Sequence, residues 1–298
     1  MQKNEALLRF SFPIHSLLCS LLLALPPSTG AAEERPNVLF ISVDDLNDMP
    51  AFMGIYPDAI TPNMDRLASK GMVFTRAHTP YPLCGPARAS IMTSTLATTN
   101  GFYNHMPDEK VQQRGKEMGT STIPEYFREH GYHVMAVGKL FHKHVPRDSV
   151  DESGGRGNWN NHPKGKQKYN RGKTMTDWAY WPGQEDRMSD PKAAEWAIKK
   201  LQQEHNKPFL MMVGFLRPHV PWIVPKRWFD LYPDSKKLKM PPFKANDLDD
   251  VPEISKRLNI EAGMPCTDKL IEKDQWHEVI QSYLASCSFV DHYVGKVI

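Results

Sequence analysis

The sequence predicts an α/β fold in which a mostly parallel central sheet carries helices on both faces. Three nearly continuous apolar runs of strand length support this prediction, at residues 37–43, 133–137 and 208–215. Such runs are typical of strands covered on both faces, because both rows of side chains must then be apolar. Predicted helices separate the runs, and this alternation favours parallel pairing. Ligands of such sheets usually lie beyond the carboxyl ends of the strands.

The predicted elements follow one another along the chain. After the first strand, we expect a short helix at 63–70, a strand at 73–77 and a helix that begins near Cys84. Further helices are expected at 122–130, before the second strand, and at 193–203, before the third.

Two stretches lack a regular apolar pattern, whereas the last segment of the chain has one. Residues 148–190 are rich in Gly, Asn and Lys without apolar periodicity, which predicts a long surface excursion rather than a domain boundary. Residues 233–267 are predicted to be rich in loops. Residues 276–298 have the periodicity of a long amphipathic helix.

The composition is that of a globular chain without a strong basic field. The 298 residues, 40% of them hydrophobic, are enough to bury a substantial core. The 37 basic and 34 acidic residues leave a net charge of +3, which argues against nucleic acid as a partner. Nucleotide binding is disfavoured because no glycine-rich phosphate loop follows a strand, and a Ser-His-Asp hydrolase because no GxSxG elbow is present.

Residues 1–32 have the pattern of a cleaved signal peptide. Lys3 and Arg9 precede an apolar run at 14–25, and small residues follow it. The run is shorter than the roughly 20 apolar residues of a spanning helix, and no later segment has the pattern of one. We therefore expect a secreted or periplasmic protein with no stable membrane span, whose remaining residues, 33–298, form the folded domain.

The number of cysteines indicates that at least one thiol does not form a disulfide within the chain. Cys19 lies in the predicted signal peptide, which leaves Cys84, Cys266 and Cys287 in the exported chain. An odd number cannot pair completely, so at least one thiol is unpaired or modified. The CxxC spacing of a structural zinc site is absent.

Two adjacent carboxylates, Asp44 and Asp45, end the first predicted strand. Adjacent side chains in a strand point to opposite faces, so these two converge only if the strand ends before them. Converging carboxylates repel each other unless a cation joins them, and Ca²⁺ or Mg²⁺ takes oxygen ligands of this kind. The alternative is an ordinary pair of turn or cap carboxylates.

The segment Cys84-Gly-Pro-Ala-Arg88 combines a cysteine at a predicted helix start with an arginine one turn later. Backbone N–H groups at a helix start and a guanidinium on the same face suit an oxyanion such as sulfate or phosphate. The alternative is a buried cysteine beside a surface arginine.

Taken in order, these motifs resemble the sulfatase family of the alkaline phosphatase-like superfamily. The matching segments are Arg35-Pro-Asn-Val-Leu-Phe-Ile-Ser-Val-Asp-Asp45, Thr61-Pro-Asn-Met-Asp-Arg-Leu67, Cys84-Gly-Pro-Ala-Arg88, Gly138-Lys139 and Arg217-Pro-His219. The similarity runs from Arg35 to the last residue. Three segments are most similar to the iduronate 2-sulfatase branch: Gly138-Lys-Leu-Phe-His142, Arg217-Pro-His-Val-Pro221 and Tyr283-Leu-Ala-Ser286.

The resemblance implies that Cys84 is converted to formylglycine by a formylglycine-generating or sulfatase-maturating enzyme. The hydrate of this aldehyde would supply the oxygen that attacks sulfur, and its second hydroxyl would then expel sulfate. A Ca²⁺ ion at Asp44, Asp45 and the modified Cys84 would polarise the sulfate. The implied reaction is sulfate-ester hydrolysis, and the branch similarity implies a sulfated carbohydrate as the substrate.

The resemblance also implies roles for four basic residues. Arg88 would support the formylglycine and the metal site, and Lys139 would contact the sulfate. His142 would act as a base in sulfate elimination, while His219 would bind sulfate or protonate the leaving oxygen. His142 follows Lys139 by three residues, whereas many sulfatases have a spacing of two.

The sequence departs from the family in one respect. A later strand in which Asp is followed by His or Asn completes the calcium site of sulfatases, and no such segment is found here. Asp291-His292 falls within the periodicity of the predicted last helix and is assigned to it. The catalytic domain is thus expected to be incomplete at its C-terminal end. Two alternatives remain: a phosphonate or phosphate monoester hydrolase of the same superfamily, and a catalytically inactive, glycan-binding fragment.

Overall fold

A four-stranded parallel sheet forms the centre of the residues that the computed structural model describes, 35–157, 176–261 and 265–298. The described strands are β1 (Val38–Val43), β2 (His133–Gly138), β3 (Glu152–Ser153), β4 (Trp178–Trp181), β5 (Phe209–Phe215) and β6 (Trp222–Pro225). The central sheet has the order β1-β5-β2-β3, and β4 pairs with β6 in a separate parallel sheet. The three strands predicted from apolar runs are confirmed.

Helices occupy most of the chain between and after the strands. The described α-helices are α1 (Pro62–Ala68), α2 (Cys84–Thr93), α3 (Ala97–Asn100), α4 (Asp108–Glu117), α5 (Ile123–Glu129), α6 (Ser189–Leu201), α7 (Lys226–Phe229), α8 (Glu253–Glu261), α9 (Thr267–Glu272) and α10 (Trp276–Val297). The predicted helices near 63–70, Cys84, 122–130, 193–203 and 276–298 are confirmed.

The two faces of the sheet bury alternate side chains of the same strand, because successive residues point to opposite faces. On β5, Met211 and Val213 belong to a core cluster with residues of α6 and α10. Leu210 and Met212 belong to a second cluster, with residues of α2 and α4. Burying each such side chain stabilises the fold by about 1.5–3 kcal/mol. Helices therefore cover both faces, as predicted, and all seven residues of β5 are buried.

The structure confirms that Asp291 belongs to the last helix, where its side chain has a structural role. It lies within α10, and its carboxylate accepts hydrogen bonds from the backbone amides of Asn63 at 3.2 Å and Met64 at 2.8 Å. These amides belong to the first turn of α1, whose N–H groups have no partner within the helix. The last helix thus caps the first one.

Some predictions about the less regular segments are wrong. Residues 73–77 form no strand, and Phe74 is 73% exposed. The stretch 148–190 is only partly a surface excursion, because it contains β3 and β4 and buries Trp178; residues 158–175 of it lie outside the described residues. The region 233–267 is rich in loops over its described residues, as predicted, and it also contains α8.

Two properties of the described residues bear on the remaining expectations. Asn37–Ile298 form one compact unit, whereas the predicted signal peptide lies outside the described residues. None of the helices described combines the length and the apolar character that crossing a membrane requires.

Candidate active site

Three neighbouring strands end at the same edge of the sheet, and polar residues follow each of them. Asp44 follows β1, Lys139 follows β2, and Arg217 lies two residues beyond the end of β5. The hydrogen bonding between β1 and β5 continues to this edge, because the amide of Asp44 donates to the carbonyl of Phe215 at 3.1 Å. The carboxyl edge of the sheet is therefore the place where the sequence-predicted site residues meet.

Asp44 is the centre of a buried cluster of charges. Its carboxylate accepts a hydrogen bond from Arg88 Nη2 at 2.7 Å and forms an ion pair with Lys139. Asp44 is 4% exposed and Lys139 is 1% exposed. Burial by itself would raise the pKa of Asp44, but Arg88, Lys139 and His219 together hold that pKa below its usual value. The Asp44 carboxylate is therefore ionised at neutral pH.

Arg88 links helix α2 to the end of β2. Its Nη1 donates to the carbonyl oxygens of Lys139 at 2.6 Å and Leu140 at 2.8 Å, while its Nη2 binds Asp44. Arg88 is buried, so the alternative of a surface arginine beside a buried cysteine is wrong. With these partners, the guanidinium fixes the carboxylate of Asp44 and the backbone that carries Lys139.

The chain turns sharply after β1, and this turn brings the two carboxylates together. Asp45 has a φ of 58°, in the left-handed region that non-glycine residues seldom adopt. His219 Nε2 lies 4.0 Å from a carboxylate oxygen of Asp44 and 3.8 Å from one of Asp45. The expected convergence of Asp44 and Asp45 is confirmed.

Helix α10 supports this turn from a distant part of the sequence. The hydroxyl of Tyr283 donates to the carbonyl of Asp45 at 2.9 Å and accepts from the amide of Asn47 at 3.0 Å. The hydroxyl acts as donor and acceptor at once, so one side chain satisfies one carbonyl and one amide of the turn.

Asp44 and Asp45 fit a divalent cation as part of its ligand shell. Burial raises the pKa of Asp45, and the charge of Asp44 raises it further, whereas His219 opposes both effects. The ionised form of Asp45 therefore lacks full charge compensation, which a cation with a preference for oxygen would supply. Two carboxylates contribute at most two oxygens each, so the other ligands of a Ca²⁺ ion, which takes six to eight, come from elsewhere.

Cys84 is the first residue of α2 and lies beside two histidines. Its Sγ and one ring nitrogen each of His105 and His142 all lie within 4.8 Å of one another. The two imidazoles stack with their centroids 3.8 Å apart and their planes 15° apart. Burial raises the pKa of the Cys84 thiol, and the nearby charges of Asp44 and Asp45 add to this although Lys139 opposes them. The unmodified side chain is a thiol at neutral pH.

The loop that carries His142 is organised by a buried carboxylate of α4. Asp108 accepts hydrogen bonds from three consecutive backbone amides, those of His142 at 3.0 Å, Lys143 at 2.7 Å and His144 at 2.9 Å. Burial lowers the pKa of His142 to about 4, and the proximity of His105 and Lys139 lowers it as well. His142 is therefore neutral at pH 7, which is the form that a general base requires.

The loop that carries His219 is organised in the same manner by helix α6. Asp190 is buried and accepts hydrogen bonds from the backbone amides of Leu216 at 2.7 Å and Arg217 at 2.9 Å. His219 Nδ1 lies 2.7 Å from the carbonyl of Val220. A carbonyl only accepts, so Nδ1 carries the proton of this hydrogen bond and Nε2 faces the two carboxylates.

The structure brings together every residue that the sequence predicted for the site, and it adds four more. Asp44, Asp45, Cys84, Arg88, Lys139, His142 and His219 all lie at the carboxyl edge of the sheet. His105, Asp108, Asp190 and Arg156, the last of which interacts electrostatically with Asp44 and Asp108, were not predicted, because none of them belongs to a recognisable motif. The nearest local signal is Gly85, where a Cβ atom would lie 2.5 Å from His105 Nδ1.

Comparison with known proteins relates this site to one family. A family model described as Sulfatase matches residues 36–298. The chain is 40% identical over 279 residues to a sulfatase of Formosa agariphila, with 89% of this chain and 55% of that protein covered. It is 30% identical over 309 residues to iduronate 2-sulfatase of Homo sapiens, with 95% and 54% covered. The solved structure of phosphonate monoester hydrolase of Agrobacterium radiobacter matches with a TM-score of 0.62 at 18% identity, covering 88% of this chain and 58% of that one.

These matches differ in what they establish. The structural match, at 18% identity, supports the fold alone. The chain spans about half the length of the curated relatives that it matches. The family model, in contrast, covers nearly every described residue, including all seven predicted site residues. The chain belongs to the sulfatase family of the alkaline phosphatase-like superfamily.

Proposed function

We propose that the protein hydrolyses sulfate esters of a sulfated carbohydrate, in the manner of an iduronate 2-sulfatase. The observation that carries this proposal is the arrangement at the sheet edge, where Cys84 lies beside a buried cluster of Asp44, Arg88 and Lys139. A cysteine at a helix start, next to fixed cations and two carboxylates, suits a nucleophile that acts on an anionic ester. The similarity to iduronate 2-sulfatase supports a carbohydrate substrate.

The nucleophile that we propose is formylglycine at position 84, formed from Cys84 by a formylglycine-generating or sulfatase-maturating enzyme. When present, the hydrated aldehyde supplies one hydroxyl for attack at sulfur and a second one for release of sulfate. Cys84 is only half-buried, and the structure describes it as a free thiol, so it is chemically available for conversion.

The cation that we propose is Ca²⁺, with Asp44 and Asp45 among its ligands beside the modified Cys84. When bound, it neutralises the sulfate and increases the acidity of the nucleophile. Asp44 keeps its position without the cation, because Arg88 and Lys139 bind its carboxylate. Asp45 has no such pair of fixed partners within hydrogen-bond distance, and its nearest recorded charge is His219 at 3.8 Å.

Three further site residues bind the anion and transfer protons in this proposal: Lys139, His142 and His219. The Lys139 side chain is buried beside Asp44 and close enough to Cys84 for an electrostatic interaction, which supports a role in binding a sulfate oxygen. His142 is neutral at pH 7 and within 4.8 Å of the Cys84 sulfur, so it accepts a proton from the group at position 84. His219 Nε2 lies within 4.0 Å of a carboxylate oxygen of each aspartate, and the doubly protonated ring donates the Nε2 proton to the leaving oxygen.

We also propose that residues 1–32 direct the protein out of the cytoplasm, so that it acts as a secreted or periplasmic enzyme. The support is the order of charged, apolar and small residues in that segment. A sulfated polysaccharide outside the cell would be a substrate in keeping with that location.

The test is to coexpress the protein with a maturating enzyme and to determine the mass of the peptide that contains residue 84. The modified protein is then assayed, with Ca²⁺, for sulfate release from a 2-O-sulfated uronate disaccharide and for hydrolysis of phosphate and phosphonate monoesters. We expect formylglycine at position 84 and turnover of the sulfate ester at least tenfold above the Cys84→Ala variant.

Two other outcomes would each replace this proposal. Faster hydrolysis of the phosphate or phosphonate ester would identify a phosphohydrolase of the same superfamily. Binding of the disaccharide without turnover of any ester, in protein shown to carry formylglycine, would identify a glycan-binding protein.

A further inference from the structure

We propose that the unconverted thiol of Cys84 forms, together with His105 and His142, a binding site for a thiolate-seeking divalent cation such as Zn²⁺. This inference goes beyond the proposed function, because it concerns the chain before Cys84 is modified and requires no turnover. Apart from Cys84, its ligands differ from the carboxylates assigned to Ca²⁺.

The first argument is the distance between the three ligand atoms, each of which lies within 4.8 Å of the other two. In tetrahedral zinc sites the metal–nitrogen distance is about 2.0–2.1 Å and the metal–sulfur distance about 2.3 Å, which puts ligand atoms roughly 3.3–3.8 Å apart. The three atoms therefore need to approach one another by up to about 1.5 Å, a movement that side-chain torsions provide.

The second argument concerns His142, whose Nδ1 is buried without a hydrogen-bond partner among the described residues. Leaving a buried polar atom unsatisfied costs about 1–3 kcal/mol, and a metal bond would remove that cost. The backbone of His142 is already fixed by Asp108, so binding requires little ordering of the main chain.

The third argument is the placement of His105. Its ring stacks on that of His142 with the centroids 3.8 Å apart, so both imidazoles lie beside the Cys84 sulfur, and a shared ion requires the two rings to rotate out of the stack until their nitrogens converge. Gly85 leaves the space that the His105 ring occupies, because a Cβ atom there would lie 2.5 Å from Nδ1. His105 is exposed, so a cation reaches the three ligands from solvent.

The ligand chemistry selects the class of ion. One sulfur and two imidazole nitrogens suit Zn²⁺, Co²⁺ or copper, whereas Ca²⁺ and Mg²⁺ bind oxygen. The cation displaces the proton of the Cys84 thiol into solvent, and water occupies the fourth position. Conversion of Cys84 to an aldehyde removes the sulfur, so this site exists only in the unconverted protein.

The experiment is a Co²⁺ titration of protein expressed without a maturating enzyme, followed by the thiolate-to-cobalt charge-transfer absorption and by its loss on addition of Zn²⁺. We expect saturation at one ion per chain, no charge-transfer band in Cys84→Ala, and at least tenfold weaker binding in His105→Ala and in His142→Ala. The matched controls are His144→Ala, in the same loop but bonded to Glu109, and Cys266→Ser, another free thiol. Both controls should titrate like the parent protein.

A second measurement uses only the parent protein, so it does not depend on how the variants fold. Zn²⁺ should slow alkylation of Cys84 by iodoacetamide at least tenfold, as read from the mass of the peptide, and leave Cys266 unprotected. A charge-transfer band that survives in Cys84→Ala, or an alkylation rate of Cys84 that Zn²⁺ does not change, would overturn the proposal.

Discussion

Gly138 and Gly214 face each other across β2 and β5, and neither position has space for a side chain. A Cβ atom on Gly138 would overlap the carbonyl of Gly214, and one on Gly214 would overlap the backbone of Lys139. The amide of Lys139 donates to the carbonyl of Gly214 at 2.8 Å. The two strands thus approach closely at the step immediately before the candidate active site, and this approach positions Lys139.

The first prediction is that Gly138→Ala destabilises the protein by at least about 3 kcal/mol. The added methyl group meets the Gly214 backbone, and the φ of 83° adds strain. The matched control is Gly155→Ala, where φ is 73° but nothing lies within 4 Å of the new Cβ atom. This control should lose only about 1–2 kcal/mol. Equal losses in urea unfolding of the two variants would show that the close approach is unimportant.

The second prediction separates the two carboxylates. Asp44→Asn leaves Arg88 and Lys139 buried without their common anion, and should destabilise the protein by about 3–5 kcal/mol in the presence of EDTA. Asp45→Asn removes a charge that lacks full compensation, and should change stability by less than about 1 kcal/mol. In Ca²⁺ calorimetry, Asp45→Asn should bind at least tenfold more weakly than the parent. Similar stability of the two variants would contradict the asymmetry.

The third prediction concerns Asp108, which accepts three backbone hydrogen bonds from the loop of His142. Asp108→Asn replaces an acceptor oxygen by an N–H donor, and should destabilise the protein by about 2–3 kcal/mol. The control Glu109→Gln alters the next residue, whose exposed carboxylate pairs with His144, and should cost less than about 1 kcal/mol. Thermal unfolding measures both, and an unfolding temperature of Asp108→Asn equal to that of the Glu109→Gln control would refute the assignment.

The fourth prediction is a dependence of stability on pH that originates in His142. Its pKa of about 4 in the folded protein lies below the ordinary value of 6.5, so the unfolded chain binds more protons between these two pH values. The free energy of unfolding therefore falls as the pH decreases from 6.5 to 4. His142→Gln should flatten this part of the profile in urea unfolding, and NMR titration of the parent should place the imidazole of His142 near pH 4. An unchanged slope in the variant would rule out His142 as the source.

Much of the fold follows from local sequence because the core strands are apolar on both faces. All seven residues of β5 are buried, and the length of this apolar run and the polar residues on either side of it suffice to identify it as a strand. Residues 73–77 show where this reasoning ends, since a β-branched and aromatic segment forms a strand only where a neighbouring strand is available. Phe74 lies at the surface instead.

The residues of the candidate site likewise fall into two groups, those that the sequence identifies and those that it does not. Asp44, Cys84 and Lys139 occur in motifs that the chain shares with its family, so the sequence identifies them. His105 and Asp108 belong to no motif, and their importance depends on contacts with a loop more than 30 residues further along the chain. Only the tertiary structure reveals such contacts, because nothing in the spacing of these residues indicates them.

The loop that carries His142 differs from the carboxylate turn in the length of chain that its contacts enclose. Asp108 reaches its loop over 34 to 36 residues, whereas Tyr283 reaches Asn47 over 236. Longer closures cost more chain entropy and slow the formation of the contact. In the order of folding, we therefore expect the amides of residues 142–144 to gain protection in pulse-labelled hydrogen exchange before that of Asn47. The loop that carries His142 would become ordered first. The turn that carries Asp45 would become ordered only when α10 packs against it.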